Sequence, residues 1–117
     1  TRGALLAEPD RLLPPLLGAL AGGRTLGVIG PLAEQADSLR HKYGPHGLDP
    51  LYAAASPYTP DREEFVRAAA SLEGSAGLIV LDCMGYTREM QSWVREEVSV
   101  PVILSNAMIG RVLAETL

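Results

Sequence analysis

The sequence holds one cysteine, Cys83, and two histidines, and these scarcities exclude several kinds of site. A single cysteine cannot close an intrachain disulfide, which favours a reducing compartment and predicts a cytoplasmic protein. His41 and His46 have no second cysteine and no tight carboxylate cluster near them in the sequence, so we expect no structural zinc site and no bound metal.

Positive charge and long apolar runs are equally scarce. The formal net charge is −4 at pH 7, and no cluster of lysine and arginine offers a footprint for nucleic acid or an anionic membrane. The longest apolar stretch, Leu12 to Gly22, is too short to span a bilayer and contains Pro14 and Pro15. Neither nucleic acid nor a membrane is therefore expected as a partner.

Common cofactor and nucleophile motifs are absent as well. Neither G-x-G-x-x-G nor G-x-x-x-x-G-K-[ST] occurs, and no serine lies in a nucleophile elbow. The turn after the first strand is therefore not a phosphate-binding loop.

Short apolar runs alternate with helical patterns, which is typical of βα units and a parallel sheet. A length of 117 residues fits one domain. The predicted strands are 26–29, 51–55, 78–81 and 101–104. The predicted helices are 14–21, 32–43 and 60–72, with Thr59 as the N-cap of the third, followed by two helices capped by Thr87 and Asn106. The buried stripe of the second helix is predicted to be Leu32, Ala36, Leu39 and Tyr43.

The pattern predicts a three-layer flavodoxin-like α/β domain, with a four-stranded parallel sheet in the order 2-1-3-4 and helices on both faces. Ligands of such sheets bind outside the carboxyl ends of the strands, where the strand order reverses. The loops after the first and third strands should line this crevice, flanked by the end of the fourth strand. The predicted substrate-binding residues are Gly30, Pro31, Gln35, Gly85, Tyr86, Thr87, Ser105 and Asn106.

Cys83 follows the most apolar strand and precedes a helix. A helix N-terminus favours a thiolate, so Cys83 is the candidate catalytic residue. A lone cysteine can equally be a small buried hydrophobic residue. Asp82 is open to two interpretations, since its carboxylate could steer a proton or could simply face solvent or accept amides in the turn.

Four segments of the sequence resemble the C-terminal half of AroM family proteins, and the similarity covers most of the chain. The block from Leu78 to Tyr86 is also similar to the second-cysteine motif of the aspartate/glutamate/hydantoin racemase superfamily. The four segments are Leu12-Leu13-Pro14-Pro15-Leu16, Leu26-Gly27-Val28-Ile29-Gly30-Pro31, Leu81-Asp82-Cys83-Met84-Gly85-Tyr86, and Pro101-Val102-Ile103-Leu104-Ser105-Asn106 with Ile109 and Arg111.

The resemblance implies one half of a two-domain racemase-like fold. Residues 1–24 would be a connecting segment and short helix from the missing N-terminal half, and residues 25–117 the α/β domain. Racemases of the superfamily use one cysteine from each half and no cofactor, so Cys83 would act on the α-carbon of a small carboxylate metabolite. The missing half would be its partner, and the chain alone would be inactive.

One departure from the racemases keeps other functions open. Met84 and Gly85 stand where racemases commonly carry threonine and histidine. The alternative is a non-catalytic module that binds a small anion or regulates. Self-association into a homo-oligomer through the N-terminal segment and an exposed sheet edge is a third possibility.

Overall fold

The computed structural model describes residues 9–115 and contains a four-stranded parallel sheet. The strands are β1 (Leu26–Gly30), β2 (Leu51–Ala54), β3 (Leu78–Leu81) and β4 (Val102–Leu104). Their order is β2-β1-β3-β4, which confirms the predicted topology. All three pairings are parallel, and Val28 of β1 lies opposite Tyr52 of β2 and Val80 of β3. The carboxyl ends of all four strands therefore meet at one edge of the sheet.

Within residues 9–115, five α-helices cover the two faces of this sheet. They are α1 (Pro9–Ala21), α2 (Ala36–Tyr43), α3 (Arg62–Leu72), α4 (Arg88–Arg95) and α5 (Ser105–Glu115). Helices α3 and α4 pack on one face, where Phe65 and Val94 are fully buried, and α1, α2 and α5 pack on the other. The central strands β1 and β3 are buried along their whole length, which explains why their sequences are continuous apolar runs rather than alternating ones. The architecture is thus the predicted three-layer α/β sandwich.

Helix α1 begins earlier than predicted, at Pro9 rather than Pro14, so Pro14 and Pro15 lie inside it. Leu13 and Leu17 are almost completely buried in the same core as β1. The free energy gained by burying this apolar stripe offsets the cost of the two backbone hydrogen bonds that the prolines cannot donate. The assignment of residues 1–24 to a connecting segment stays a prediction, and residues 1–8 lie outside the described part of the chain.

The predicted stripe of α2 is only half correct. Leu39 and Tyr43 are buried, whereas Leu32 is 50% exposed and Ala36 is also exposed. Residues 33–35 form a 3-10 turn, and its three residues per turn carry Leu32 out of line with the α-helical stripe that follows.

The predicted helix caps have different outcomes. Thr87 caps α4, since its hydroxyl accepts from the amide of Met90, as predicted. Thr59 does not cap α3, because the Asp61 carboxylate accepts from the amide of Glu63 instead. Asn106 is not a cap either: α5 begins at Ser105, and the Asn106 side chain is engaged elsewhere. Among the helices described in residues 9–115, none combines the length and apolarity needed to cross a membrane.

Candidate functional site

Cys83 lies at the carboxyl edge of the sheet, two residues beyond the end of β3, and its side chain is partly exposed. The hydroxyl oxygen of Tyr58 is 3.6 Å from Cys83 Sγ. Tyr58 comes from the loop that follows β2, and its ring is 70% exposed. The thiol therefore has access to solvent on one side and a hydroxyl group within hydrogen-bonding distance on the other.

The loop that carries Cys83 is held by backbone and side-chain hydrogen bonds. The amide of Asp82 donates to the carbonyl of Ile29 at 2.9 Å, which ties the loop to β1. Asn106 Nδ2 donates to the carbonyls of Met84 and Tyr86, both at 3.1 Å. Asn106, predicted to bind substrate, thus lies at the crevice and braces the cysteine loop from α5.

Tyr58 is held in a similar way from its own side. The Ser56 hydroxyl accepts from the amide of Tyr58 at 3.2 Å, and the amide of Ser56 donates to the Glu64 carboxylate at 2.7 Å. Gly85 allows the two loops to meet, because a Cβ there would lie 3.2 Å from the Pro57 ring. The contact between the two loops places the Tyr58 hydroxyl beside the Cys83 sulfur.

Asp82 has partners that the sequence did not reveal. Its Oδ2 atom accepts from Lys42 Nζ at 2.7 Å and from the Tyr43 hydroxyl at 2.8 Å, and both side chains of the ion pair are largely buried. Lys42 and Tyr43 end α2, and helical side chains point back toward the helix N-terminus, which here is the carboxyl edge of the sheet. Lys42 therefore balances a negative charge that would otherwise stand next to Cys83 uncompensated.

Tyr86, predicted to bind substrate, is directed into the core. Its hydroxyl donates to the carbonyl of Ala55 at 2.6 Å, and its ring packs edge-on against Phe65 with centroids 5.8 Å apart. Only 2% of the residue is exposed. The hydrogen bond from the Tyr86 hydroxyl thus joins the loop after β3 to the end of β2.

The remaining predicted residues border the site at different depths. Gly30 ends β1 and is buried beneath Tyr52, whose hydroxyl donates to the carbonyl of Leu32; a Cβ on Gly30 would lie 2.8 Å from the Tyr52 ring. The others are distributed along the same edge: Pro31 and Gln35 are half-buried beyond β1, Thr87 begins α4 and Ser105 is buried at the start of α5.

The pKa values of three tyrosines around the Cys83 loop are raised. The hydrogen bond to Cys83 and the nearby charge of its thiolate raise the pKa of Tyr58. Burial raises the pKa of Tyr86, and the charge of Cys83 adds to this. Burial is also the main cause of the raised pKa of Tyr52. Each of the three hydroxyls is therefore kept in its neutral, proton-carrying form near the sulfur.

Backbone donors complete the site. The amide of Tyr86 donates to the carbonyl of Cys83 at 3.3 Å, whereas within residues 9–115 the amides of Gly85 and Thr87 have no acceptor. Thr87 is the N-cap of α4 and Gly85 lies two residues before it, close to the helix end where the dipole favours an anion. In the same range, no three His, Cys, Asp or Glu side chains are close enough to hold a metal ion.

Tyr58, Lys42 and Tyr43 were not predicted to belong to the site. The loop after β2 carries Tyr58, and its place at the same carboxyl edge follows from the predicted strand order, so that signal was present in the sequence. Lys42 and Tyr43 lie at the far end of α2. Their contact with Asp82 depends on side-chain length and on the 3-10 turn that positions the helix. No sequence motif predicts this contact.

A family model described as AroM protein matches residues 1–117. No curated protein and no solved structure matches the chain.

Proposed function

The chain belongs to the AroM family, and from the placement of Cys83 we propose that the intact protein carries out cofactor-independent chemistry at the α-carbon of a small carboxylate. The reaction would be a racemisation, an isomerisation or a decarboxylation, with Cys83 as acid/base or nucleophile. The observation that carries the proposal is the position of a partly exposed thiol at the carboxyl edge of the sheet, 3.6 Å from the Tyr58 hydroxyl.

In the racemase form of the reaction, the Cys83 thiolate takes the α-proton and becomes a thiol. The electron pair of the C–H bond moves into the substrate carboxylate, and a second acid returns a proton to the opposite face. The free amides of Gly85 and Thr87 would hold the carboxylate oxygens as negative charge accumulates there. Tyr58 would donate a hydrogen bond to the thiolate before the proton is taken.

The second acid is not provided by any residue that we place at this site. Resemblance to the racemase superfamily supports a second α/β half that contributes it. Such a reaction needs no cofactor, and a free thiol would be maintained in the cytoplasm, which we propose as the compartment.

A second candidate function is supported by Met84. Its side chain is 80% exposed and follows Cys83 directly, in the place of a polar substrate contact of the racemases. A crevice that keeps the amides of Gly85 and Thr87 but has Met84 in place of that polar contact would bind a small anion without converting it. We propose an anion-binding or regulatory module as this alternative.

Hydrogen exchange in D₂O separates the two candidates. The full-length protein is incubated with a panel of small α-substituted carboxylates, and deuterium at the α-carbon and any product are followed by NMR, with binding measured by calorimetry. Exchange or turnover that Cys83→Ser abolishes would support the enzyme. Ser99→Ala is the matched control, because Ser99 is exposed and remote from the site.

Each result has a defined meaning. Binding without exchange or product would reject the enzyme and support the anion-binding module, and no binding at all would reject both. The 117-residue chain alone is expected to be inactive, because it would lack the second acid. Turnover by it would overturn the two-half arrangement.

A further inference from the structure

A positively charged groove lies at the opposite side of the sheet from β2. It has a volume of about 210 Å³ and runs along the open edge of β4, between α4 and α5. Three arginines line it: Arg88 and Arg95 from α4, and Arg111 from α5. None of the described residues that line the groove is acidic, although the chain as a whole has a net charge of −4.

The topology explains why the arginines converge. Helices α4 and α5 pack on opposite faces of the sheet, and β4 is the edge strand between them. Arg88 and Arg95 are seven residues apart and so face the same side of α4, separated by about 10 Å along the helix axis. Arg111 comes from the other wall. The groove is thus bordered by guanidinium groups on both sides.

Hydrogen bonds within the groove engage two of the three arginines, Arg88 and Arg95. Arg88 donates to Gln91 Oε1 at 2.9 Å, while Gln91 Nε2 and Arg95 donate to the carbonyl of Val102 at 2.8 and 3.5 Å. Within residues 9–115, the side chain of Arg111 has no hydrogen-bond or ion-pair partner. The three positive charges therefore have no carboxylate counterpart in the described structure.

We propose that this groove binds a small polyanion, with phosphate or carboxylate groups, at a site separate from Cys83. The planar guanidinium fork is matched to two oxygens of such groups, and several arginines favour a ligand with more than one negative charge. Ala107 and Met108, together with β4, supply an apolar floor for the carbon skeleton.

Protection of the sheet edge is the competing explanation. Charged side chains often cover an edge strand and prevent pairing with another chain, and Gln91 and Arg95 already satisfy the carbonyl of Val102. That role requires no ligand. It predicts that loss of the arginines promotes association of the chain and leaves anion binding unchanged.

Titration with inorganic pyrophosphate and with citrate, at constant ionic strength, tests the proposal. Binding is measured by calorimetry and by amide chemical shifts, and the two probes distinguish phosphate from carboxylate ligands. We expect saturable binding of at least one probe, with shifts in α4, β4 and α5. Arg111→Gln should raise the Kd by about threefold to tenfold. Arg67→Gln removes the same charge from an exposed position on α3 and should leave the Kd unchanged.

Three results would overturn the proposal. These are the absence of saturable binding of both probes, equal weakening by Arg111→Gln and Arg67→Gln, and concentration-dependent association of Arg111→Gln with an unchanged Kd. Cys83→Ser should bind the probes as the unaltered protein does, so failure of this site and failure of the Cys83 chemistry are observed separately.

Discussion

Two tyrosines flank the Cys83 loop, and removal of one hydroxyl at a time should affect different properties. In Tyr86→Phe the buried carbonyl of Ala55 loses the donor that now lies at 2.6 Å, while the ring can keep its packing against Phe65. Leaving a buried acceptor without this partner should lower the free energy of unfolding by about 1–2 kcal/mol. Tyr58 is 70% exposed, so Tyr58→Phe should change the free energy of unfolding by less than about 0.5 kcal/mol.

Urea unfolding followed by fluorescence measures both variants. The slope of the transition should stay the same while the midpoint of Tyr86→Phe falls, and its melting temperature should fall by roughly 4–8 °C per kcal/mol. Equal destabilisation of the two variants, or a loss below about 0.5 kcal/mol in Tyr86→Phe, would refute the assignment of Tyr86 to the core and Tyr58 to the surface.

The pH dependence of Tyr86→Phe has a definite sign. Burial raises the pKa of Tyr86 in the folded state, whereas in the unfolded chain it titrates near 10. Above pH 10 the unfolded state releases a proton that the folded state retains, so the protein loses up to about 1.4 kcal/mol per pH unit from this residue. The deficit of Tyr86→Phe should therefore shrink between pH 10 and 11. A constant deficit over that range would contradict the account.

Alkylation of Cys83 by iodoacetamide should change in Tyr58→Phe and stay unchanged in Tyr86→Phe. Without the Tyr58 hydroxyl the thiolate loses a hydrogen-bond donor, so Tyr58→Phe should react about threefold to tenfold more slowly at pH 7. At pH 10 the variant should react at least as fast as the unaltered protein, because a less stabilised thiolate is the better nucleophile. If the ring of Tyr58 only shielded the sulfur, Tyr58→Phe would keep the shield and would react at the unaltered rate at both pH values. Tyr86→Phe should follow the unaltered profile.

Three further substitutions test the supports of the site. Lys42→Met leaves the Asp82 carboxylate without its cation and should slow alkylation of Cys83 at pH 7 by about threefold. The double variant Lys42→Met with Asp82→Asn should recover the unaltered rate. If it does not, the charge of Asp82 has no role in the reactivity of Cys83. Gly30→Ala forces the Tyr52 ring to move and should cost about 1–3 kcal/mol in urea unfolding, whereas a neutral result would show that the ring shifts freely. Asn106→Ala removes two hydrogen bonds and should cost about 1–2 kcal/mol, with faster amide exchange in the cysteine loop; unchanged exchange would contradict the bracing role.

The architecture could be predicted because its signals are local. Continuous apolar runs mark β1 and β3, and the alternation with helices dictates a parallel sheet whose order the structure confirms. Helix starts were less predictable, since Asp61 and Thr59 are both good caps and only the tertiary context chooses between them. The predicted burial of Leu32 is wrong because the prediction used the α-helical period where the chain makes a 3-10 turn.

The site was predictable to the level of the loop and no further. The position of Cys83 follows from strand order, but the direction of a side chain depends on packing. Tyr86 follows Cys83 by three residues and yet turns inward to Ala55, while the hydroxyl beside the sulfur belongs to Tyr58, which is distant in sequence. Such contacts are set by tertiary structure and leave no motif.

Cys83 is proposed to be a reactive thiol at an open site, and its alkylation in the folded protein tests this most directly. The rate with iodoacetamide at pH 7 is measured by mass spectrometry for the native chain and for the chain unfolded in urea. We expect the native rate to equal or exceed the unfolded rate, or to fall within about tenfold of it. A thiol that stays unmodified until the protein unfolds would contradict the claim and would make Cys83 a residue of the core.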